Sequence, residues 1–350
     1  MIPCQTCAAL ISGVYICVLS AAPQQPVAAA QMGEVFASEI QTLDASPVFL
    51  SDESLAVLAR FGEPRKGDSG IVVMRWASEK LQAIAKASKM NEGDEIYAVA
   101  RNRVLTSAHS HKYLYSSDLA QKQEIPFRVI SRAFPRSEVV GEDGLETWRV
   151  FRFSSPLTLI REGPGELLSL SDDVFVFHLG NEIKTQAADG RLLGSIPVSP
   201  DSKGSYIAEI AGKGRLYLGS AGEQRIVDFS GKQFLRVHPP DGWGFRHGWS
   251  ADGRRMMFDH YTRTVSGWDR AVEWVVDRLS FGVPEESNGE TVRVVDTTTG
   301  GVCFDLETPG KLLGKVGGYH ADLSPSGRWV AVATLKELSI YRLPDDCGGK

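Results

Sequence analysis

Trp249-Ser250-Ala251-Asp252-Gly253-Arg254-Arg255-Met256-Met257-Phe258 and Leu323-Ser324-Pro325-Ser326-Gly327-Arg328-Trp329-Val330-Ala331-Val332 are two renderings of one phrase. Each has a hydrophobic residue, a serine, a turn that ends in glycine, a basic residue and then an apolar run. Glycine supplies the positive φ of a tight turn without a steric cost. The apolar run behind it is what a buried strand needs. One copy predicts a hairpin. Two copies predict a repeat, and the period of a repeat decides the architecture.

A second signal gives the period. Ala188-Asp189-Gly190-Arg191, Phe229-Ser230-Gly231-Lys232 and Thr298-Thr299-Gly300-Gly301 are polar turns between strand-like runs. Gly190 and Gly231 stand 41 residues apart, the length of one four-stranded propeller blade, about 40–45 residues. Gly231 and Gly300 stand 69 apart, which is one blade plus an insertion. The hairpin joining third and fourth strands thus alternates with the serine-glycine turn joining first and second strands. Leu323 to Val332, followed by Leu338-Ser339-Ile340-Tyr341, resembles the blade motif of WD40-like, TolB-like and YVTN-type β-propellers. Val294-Val295-Asp296-Thr297-Thr298-Thr299-Gly300 resembles the strand-turn-strand of the same superfamily. The resemblance covers about residues 185–343 and implies a β-propeller. It departs from the strict WD40 pattern, with no Trp-Asp ending a third strand and no Gly-His ahead of the blade.

The rest of the chain fits an all-β reading. Short apolar runs are broken by clusters of Gly, Pro, Asp and Ser. Ile71–Trp76 reads as a strand; Leu55–Leu58 and Leu81–Ala85 read as strands or short helical turns. Phe127–Ile130, Trp148–Phe153 and Leu157–Ile160 form one later group of strands. Counting from Phe49 to Leu343 gives seven units, the last ending on its third strand, Leu338–Leu343. A seven-bladed β-propeller closed by an N-terminal strand follows, with Glu34–Leu43 as the expected closing strand. Closure removes the open sheet edges that make strands stick to one another. The domain reading is an N-terminal segment at 1–30, a single propeller at 31–344 interrupted at about 265–290, and a tail at 345–350.

Bulk properties exclude several classes. The 350 residues are 43% hydrophobic and 23% charged, with a net charge of −5 and no Lys/Arg-rich run. That is an ordinary globular composition without the electrostatic footprint of a nucleic-acid binder. Residues 1–30 carry no charged side chain. Ala8–Ala22 is apolar, and Val27-Ala28-Ala29-Ala30 follows. This reads as the apolar core and small-residue cleavage site of a secretory signal, lacking a basic start, or as a disordered tail. The run is short for a membrane span, so none is expected in the mature chain. The first reading makes the protein periplasmic or secreted; the alternative is cytoplasmic. Cys4 and Cys7 have CxxC spacing without a second pair, so no zinc or redox site is expected there. Cys303 and Cys347 read either as unpaired or, in an exported protein, as a disulfide.

No catalytic set emerges. There is no Gly-x-Ser-x-Gly elbow and no phosphate-binding loop. His109-Ser110-His111 lacks a third ligand, so no metal and no cofactor are expected. Between Val265 and Glu290, Trp268, Val272, Val275, Val276 and Leu279 fall at helical spacing with charged residues between them. They predict an amphipathic helix or folded flap, or else a self-packed hairpin, between the second and third strands of a blade. Long loops in compact domains often carry function. These five residues and Trp243, in the Gly-rich loop before them, are the partner-binding candidates. Arg246, His247 and His320 are expected ahead of first strands on the same face, as candidates for a small ligand at the channel mouth. Trp76, Trp148, Trp249 and Trp329 read as packing residues. The leading functional reading is a monomeric, non-enzymatic exported propeller that binds a protein or peptide. The alternative is an enzyme, or a small-ligand or metal binder, acting at the channel mouth.

Overall fold

The computed structural model describes residues 25–31, 40–43, 47–61, 68–77, 80–90, 95–99, 103–108, 111–126, 137–143, 146–154, 156–198, 207–212, 214–220, 223–237, 243–261, 290–307, 320–333 and 337–347. Among them the chain is all β, in seven small antiparallel sheets. After β1 (Ala28–Gln31), blade 1 holds β2 (Ile40–Leu43), β3 (Val48–Ser51), β4 (Ser54–Phe61), β5 (Asp68–Ala77) and β6 (Lys80–Met90). Blade 2 holds β7 (Glu95–Val99), β8 (Arg103–Ala108), β9 (His111–Tyr115) and β10 (Lys122–Ile125). Blade 3 holds β11 (Val139–Asp143), β12 (Thr147–Arg152) and β13 (Thr158–Pro164). Blade 4 holds β14 (Glu166–Leu170), β15 (Val174–Leu179), β16 (Glu182–Ala187) and β17 (Leu192–Pro197). Blade 5 holds β18 (Ile207–Ile210), β19 (Arg215–Ser220), β20 (Glu223–Asp228) and β21 (Gln233–Val237). Blade 6 holds β22 (Trp243–Trp249), β23 (Arg255–Tyr261), β24 (Glu290–Asp296) and β25 (Val302–Glu307). Blade 7 holds β26 (His320–Leu323), β27 (Trp329–Ala333) and β28 (Glu337–Arg342), with β1 on its outer side. The protein is a seven-bladed β-propeller.

The apolar runs are continuous because each blade is buried on both faces. Successive side chains of a strand point to opposite sides, so each strand feeds two seams. In β4, Leu55, Val57 and Ala59 pack toward blade 7, while Ala56 and Leu58 pack toward blade 2. In β19, Leu216 and Leu218 face blade 4, and Tyr217 packs on Trp249 of blade 6. The buried clusters fall one to each seam between neighbouring blades. Trp76, Trp148, Trp249 and Trp329 serve these seams. Trp148 is 1% exposed and packs on Phe175 and Phe177 of blade 4. Trp76 of blade 1 meets Trp329 of blade 7 edge-on, with ring centroids 4.4 Å apart.

Closure comes from a different strand than the sequence pattern indicates. β1 pairs antiparallel with β28, with Ala28 opposite Ile340 and Gln31 opposite Glu337. The Val27 amide also donates to the Ile340 carbonyl at 2.8 Å. The expected strand, Glu34–Leu43, contributes Ile40–Leu43 instead to blade 1, where β2 and β3 pair end to end along one side of β4. Ala28 is 3% exposed, in the seam between blades 7 and 1. A small side chain suits an outer strand pressed against a neighbouring blade, so the poly-alanine stretch does structural duty. The propeller thus begins inside the stretch read as leader or tail.

Blade 3 shows three strands among the described residues. The Glu138 amide, just ahead of β11, donates to Asp172 Oδ1 at 2.6 Å, in the first turn of blade 4. First turns lie at the end where second strands begin, so β11 to β13 are the second to fourth strands. No described strand fills the innermost position, and the expected strand Phe127–Ile130 lies outside the described residues.

Candidate functional site

Blade 6 is built from the turn quoted at the outset. The Ser250 hydroxyl donates to Asp252 Oδ1 at 2.6 Å and accepts the Arg255 amide at 2.9 Å. The Gly253 amide closes the turn on the Ser250 carbonyl at 2.8 Å, with Gly253 at φ 68°. A Cβ there would collide with the Ala211 carbonyl of blade 5, so this glycine answers both the turn and the seam. Blade 7 repeats the device. Ser324 Oγ accepts the Trp329 amide at 3.1 Å, and Gly327, at φ 70°, donates to the Ser324 carbonyl at 2.8 Å. The turns at Gly190, Gly231 and Gly300 join third and fourth strands, as expected, with φ of 94°, 88° and 73°.

These turns fix the register, and the register locates the insertion. Across blade 6, Trp243 stands opposite Tyr261, and Tyr261 opposite Glu290. β23 ends at Tyr261 and β24 begins at Glu290, so residues 262–289 connect second to third strand. They leave from the end of the sheet where β22 starts at Trp243. That is the placement read from the sequence. Trp268, Val272, Val275, Val276 and Leu279, with the helix or flap expected of them, lie outside the described residues.

The channel-mouth candidates sit somewhat differently than expected. Arg246 and His247 lie within β22, opposite Asp259 and Phe258, rather than ahead of it. His320 opens β26 opposite Ala333. β22 and β26 are neighbouring first strands: a Cβ on Gly248 would lie 3.4 Å from the Leu323 side chain. The backbone therefore brings the three residues onto two adjacent inner strands. His111 opens β9, while His109 lies outside the described residues. Among the described residues no group of three or more His, Cys, Asp or Glu is placed to hold a metal, and no helix is long and apolar enough to cross a membrane.

The opposite end of blade 6 decides between the two readings of Cys303 and Cys347 and adds a buried arginine that the repeat pattern did not single out. Cys303 of β25 and Cys347 of the tail form a disulfide with Cα atoms 4.6 Å apart. They are 4% and 7% exposed, within the seam between blades 6 and 7. Arg255, 6% exposed, donates to the carbonyls of Gly327, at 2.5 Å, Asp345, at 3.1 Å, and Pro344. Burial and neighbouring Arg254 push its pKa below the ordinary arginine value, yet a guanidinium stays charged. Beside it, Arg254 Nε donates to Asp296 Oδ2 at 3.0 Å. Burial acts to raise the Asp296 pKa, but the Thr298 and Thr299 amides and Arg254 outweigh it and hold the carboxyl below its usual range. The signal for Arg255 was present in the repeat. Aligning the two phrases puts this charged residue where blade 7 has Trp329, inside an otherwise apolar run.

Comparison with known proteins agrees with this geometry. No protein-family model matches the sequence, and no curated protein does either. Solved structures match the fold. Raptor from Chaetomium thermophilum superposes with a TM-score of 0.59 at 12% identity, over 92% of this chain and 29% of that one. The C-terminal WD40 domain of Sif2 gives 0.50 at 12% identity, covering 87% of this chain and 98% of that domain. The β-propeller domain of Cps50 (Swd1) from Myceliophteria thermophila gives 0.51 at 10% identity, covering 88% and 98%. The fold is a WD40-like β-propeller. At these identities the likeness speaks to architecture alone.

Proposed function

We propose that this propeller is a non-catalytic, exported protein- or peptide-binding module that uses the blade 6 face bearing residues 262–289. The observation that carries the reading is the blade 6 register. It puts both ends of a 28-residue insertion beside Trp243 at one end of a rigid sheet. Binding segments are commonly loops positioned by such a scaffold. A WD40-like architecture is compatible with protein partners, as the likeness to Sif2 and Cps50 domains suggests by fold analogy. Export is favoured by the apolar N-terminal run and by the Cys303–Cys347 disulfide, since structural disulfides persist in oxidising compartments.

The test is capture from periplasm or culture medium with the intact chain and with a chain in which residues 266–288 are replaced by a short Gly-Ser linker. The reading predicts a partner held by the first and lost by the second, with equal melting temperatures. A partner held equally by both would contradict it. The second reading, a small-ligand, metal or catalytic site at the channel mouth, has in its favour the placement of Arg246 and His247 next to the strand of His320. Under it, replacing His247 and His320 by Ala would abolish function while leaving capture through the insertion without effect.

A further inference from the structure

The tail after blade 7 is held by three kinds of contact that converge on one seam. Cys347 is bonded to Cys303 of blade 6. Arg255 of blade 6 reaches the carbonyls of Pro344 and Asp345 in the tail and of Gly327 in the first turn of blade 7. Exposed Asp346 lies 3.8 Å from the Arg254 guanidinium. Leu343, 1% exposed, anchors the tail's first residue in the same seam, and its amide donates to the Arg328 carbonyl at 2.8 Å. Pro344, Asp345 and Asp346 are exposed. The disulfide is therefore buried beneath a cover of a few residues at the edge of the ring. Lifting that cover breaks no strand ladder, since β28 ends at Arg342.

We propose that the tail is a redox-releasable strap. Oxidised, Cys303–Cys347 locks residues 343–347 across the seam between blades 6 and 7, the seam of the blade that carries the insertion. A dithiol reductant releases it while the seven blades stay folded. A thiolate of the reductant attacks one sulfur of the pair, forming a mixed disulfide and freeing the other as a thiolate that takes up a proton. The second thiol of the reductant then displaces the remaining cysteine, leaving two Cys thiols and an oxidised cyclic dithiol. Arg255 couples the two events. Its donors to Pro344 and Asp345 lose their acceptors when the tail leaves and gain water instead, whereas its donor to Gly327 remains in place.

The experiment uses the full chain with Cys4, Cys7 and Cys17 replaced by Ser, so that only the strap cysteines count. Dithiothreitol is added at 25 °C, thiols are trapped with iodoacetamide, and hydrogen exchange is followed by mass spectrometry. Expected are two added carbamidomethyl groups per chain and exchange at least tenfold faster over 343–347. Blades 2 to 5 stay folded, their exchange remaining far slower than that of the released tail. Cys303→Ala/Cys347→Ala should reproduce the reduced pattern without reductant. Two results would overturn the proposal: cysteines that become reducible only under conditions that speed exchange in every blade, or a reduced tail as protected as the oxidised one. If the double alanine chain fails to fold, reduction of the already folded oxidised chain still gives the decisive reading.

Discussion

Blades 6 and 7 start from the same turn and solve the same problem with opposite chemistry. The residue after Gly-Arg in blade 6 is Arg255, and in blade 7 it is Trp329. Both amides donate to the turn serine, and both side chains reach into the next blade. Arg255 crosses to blade 7 through carbonyls, and Trp329 crosses to blade 1 by packing on Trp76. The seams differ accordingly. The join between blades 7 and 1 is where the chain closes on itself, and it is noncovalent. It has β1 on the outside, the tryptophan pair, and two carboxylates receiving amides, Asp322 from Phe49 at 2.7 Å and Asp52 from Ser326 at 3.0 Å. The join between blades 6 and 7 is covalent, through the tail. The position after the turn is thus a slot for a bridge, and its filling follows what the next blade offers. The carbonyls of Gly327, Pro344 and Asp345 call for a donor; an indole calls for another indole.

That comparison can be broken at several points, and the largest effect is expected at the noncovalent seam. Removing residues 28–31 strips β28 of its partner and leaves an open edge. The melting temperature should fall steeply and aggregation should rise in light scattering; an unchanged melting temperature would refute closure by β1. Next comes the covalent seam. The disulfide closes a loop of sequence separation 44, so the chain-entropy model gives about 4 kcal/mol. Denaturant unfolding of Cys303→Ala/Cys347→Ala should show a loss of up to that size. Arg255→Met should cost about 2–3 kcal/mol, because it leaves the buried Gly327 carbonyl and the part-buried bonds to Pro344 and Asp345 without a charged donor.

Smaller effects sharpen the comparison. Asp296 has a lowered pKa in the folded chain, so its contribution is present above the ordinary aspartate value, about 4. It disappears as pH falls through the folded value. Thermal melts of wild type and Asp296→Asn should differ at pH 7 by about 1–2 kcal/mol and converge on acidification; parallel curves down to pH 2 would refute the assignment. Smallest, Ser250→Ala and Ser324→Ala should each cost about 1 kcal/mol. Matched losses in denaturant melts would confirm that one turn serves both blades, and a loss in only one would separate them.

The parts of the fold legible in the sequence are the local ones. A serine hydroxyl capping a turn five residues long, or Asp228 and Asp296 accepting amides two to four residues on, is chemistry contained in a short window. Hence the blade period, the seven units and the position of the insertion could all be read. The closing strand could not. Ala28-Ala29-Ala30-Gln31 has no strand-like alternation, and its assignment depends on partners more than 300 residues away. Glu34–Leu43 has the better pattern, but its described part, Ile40–Leu43, pairs in blade 1. The disulfide was legible only as one of two alternatives, because nothing in the spacing of Cys303 and Cys347 says that the tail folds back under Arg255. At the candidate site, the connection from second to third strand was legible from the turns of the repeat, but Trp243 opens β22 opposite Tyr261 rather than lying in the Gly-rich loop expected for it. The position of Arg246 and His247 within β22 was not legible, because strand ends are set by the partner strand.

The central claim is that a partner binds on the face bearing the insertion. A photo-crosslinking residue placed at position 268, in the insertion, and in a second chain at exposed Ser230, in a turn at the opposite end of the blades, tests it most directly. Irradiation of each chain with its captured partner should give a covalent adduct from position 268 and none from position 230. An adduct from position 230 alone would place the partner on the other face and contradict the account.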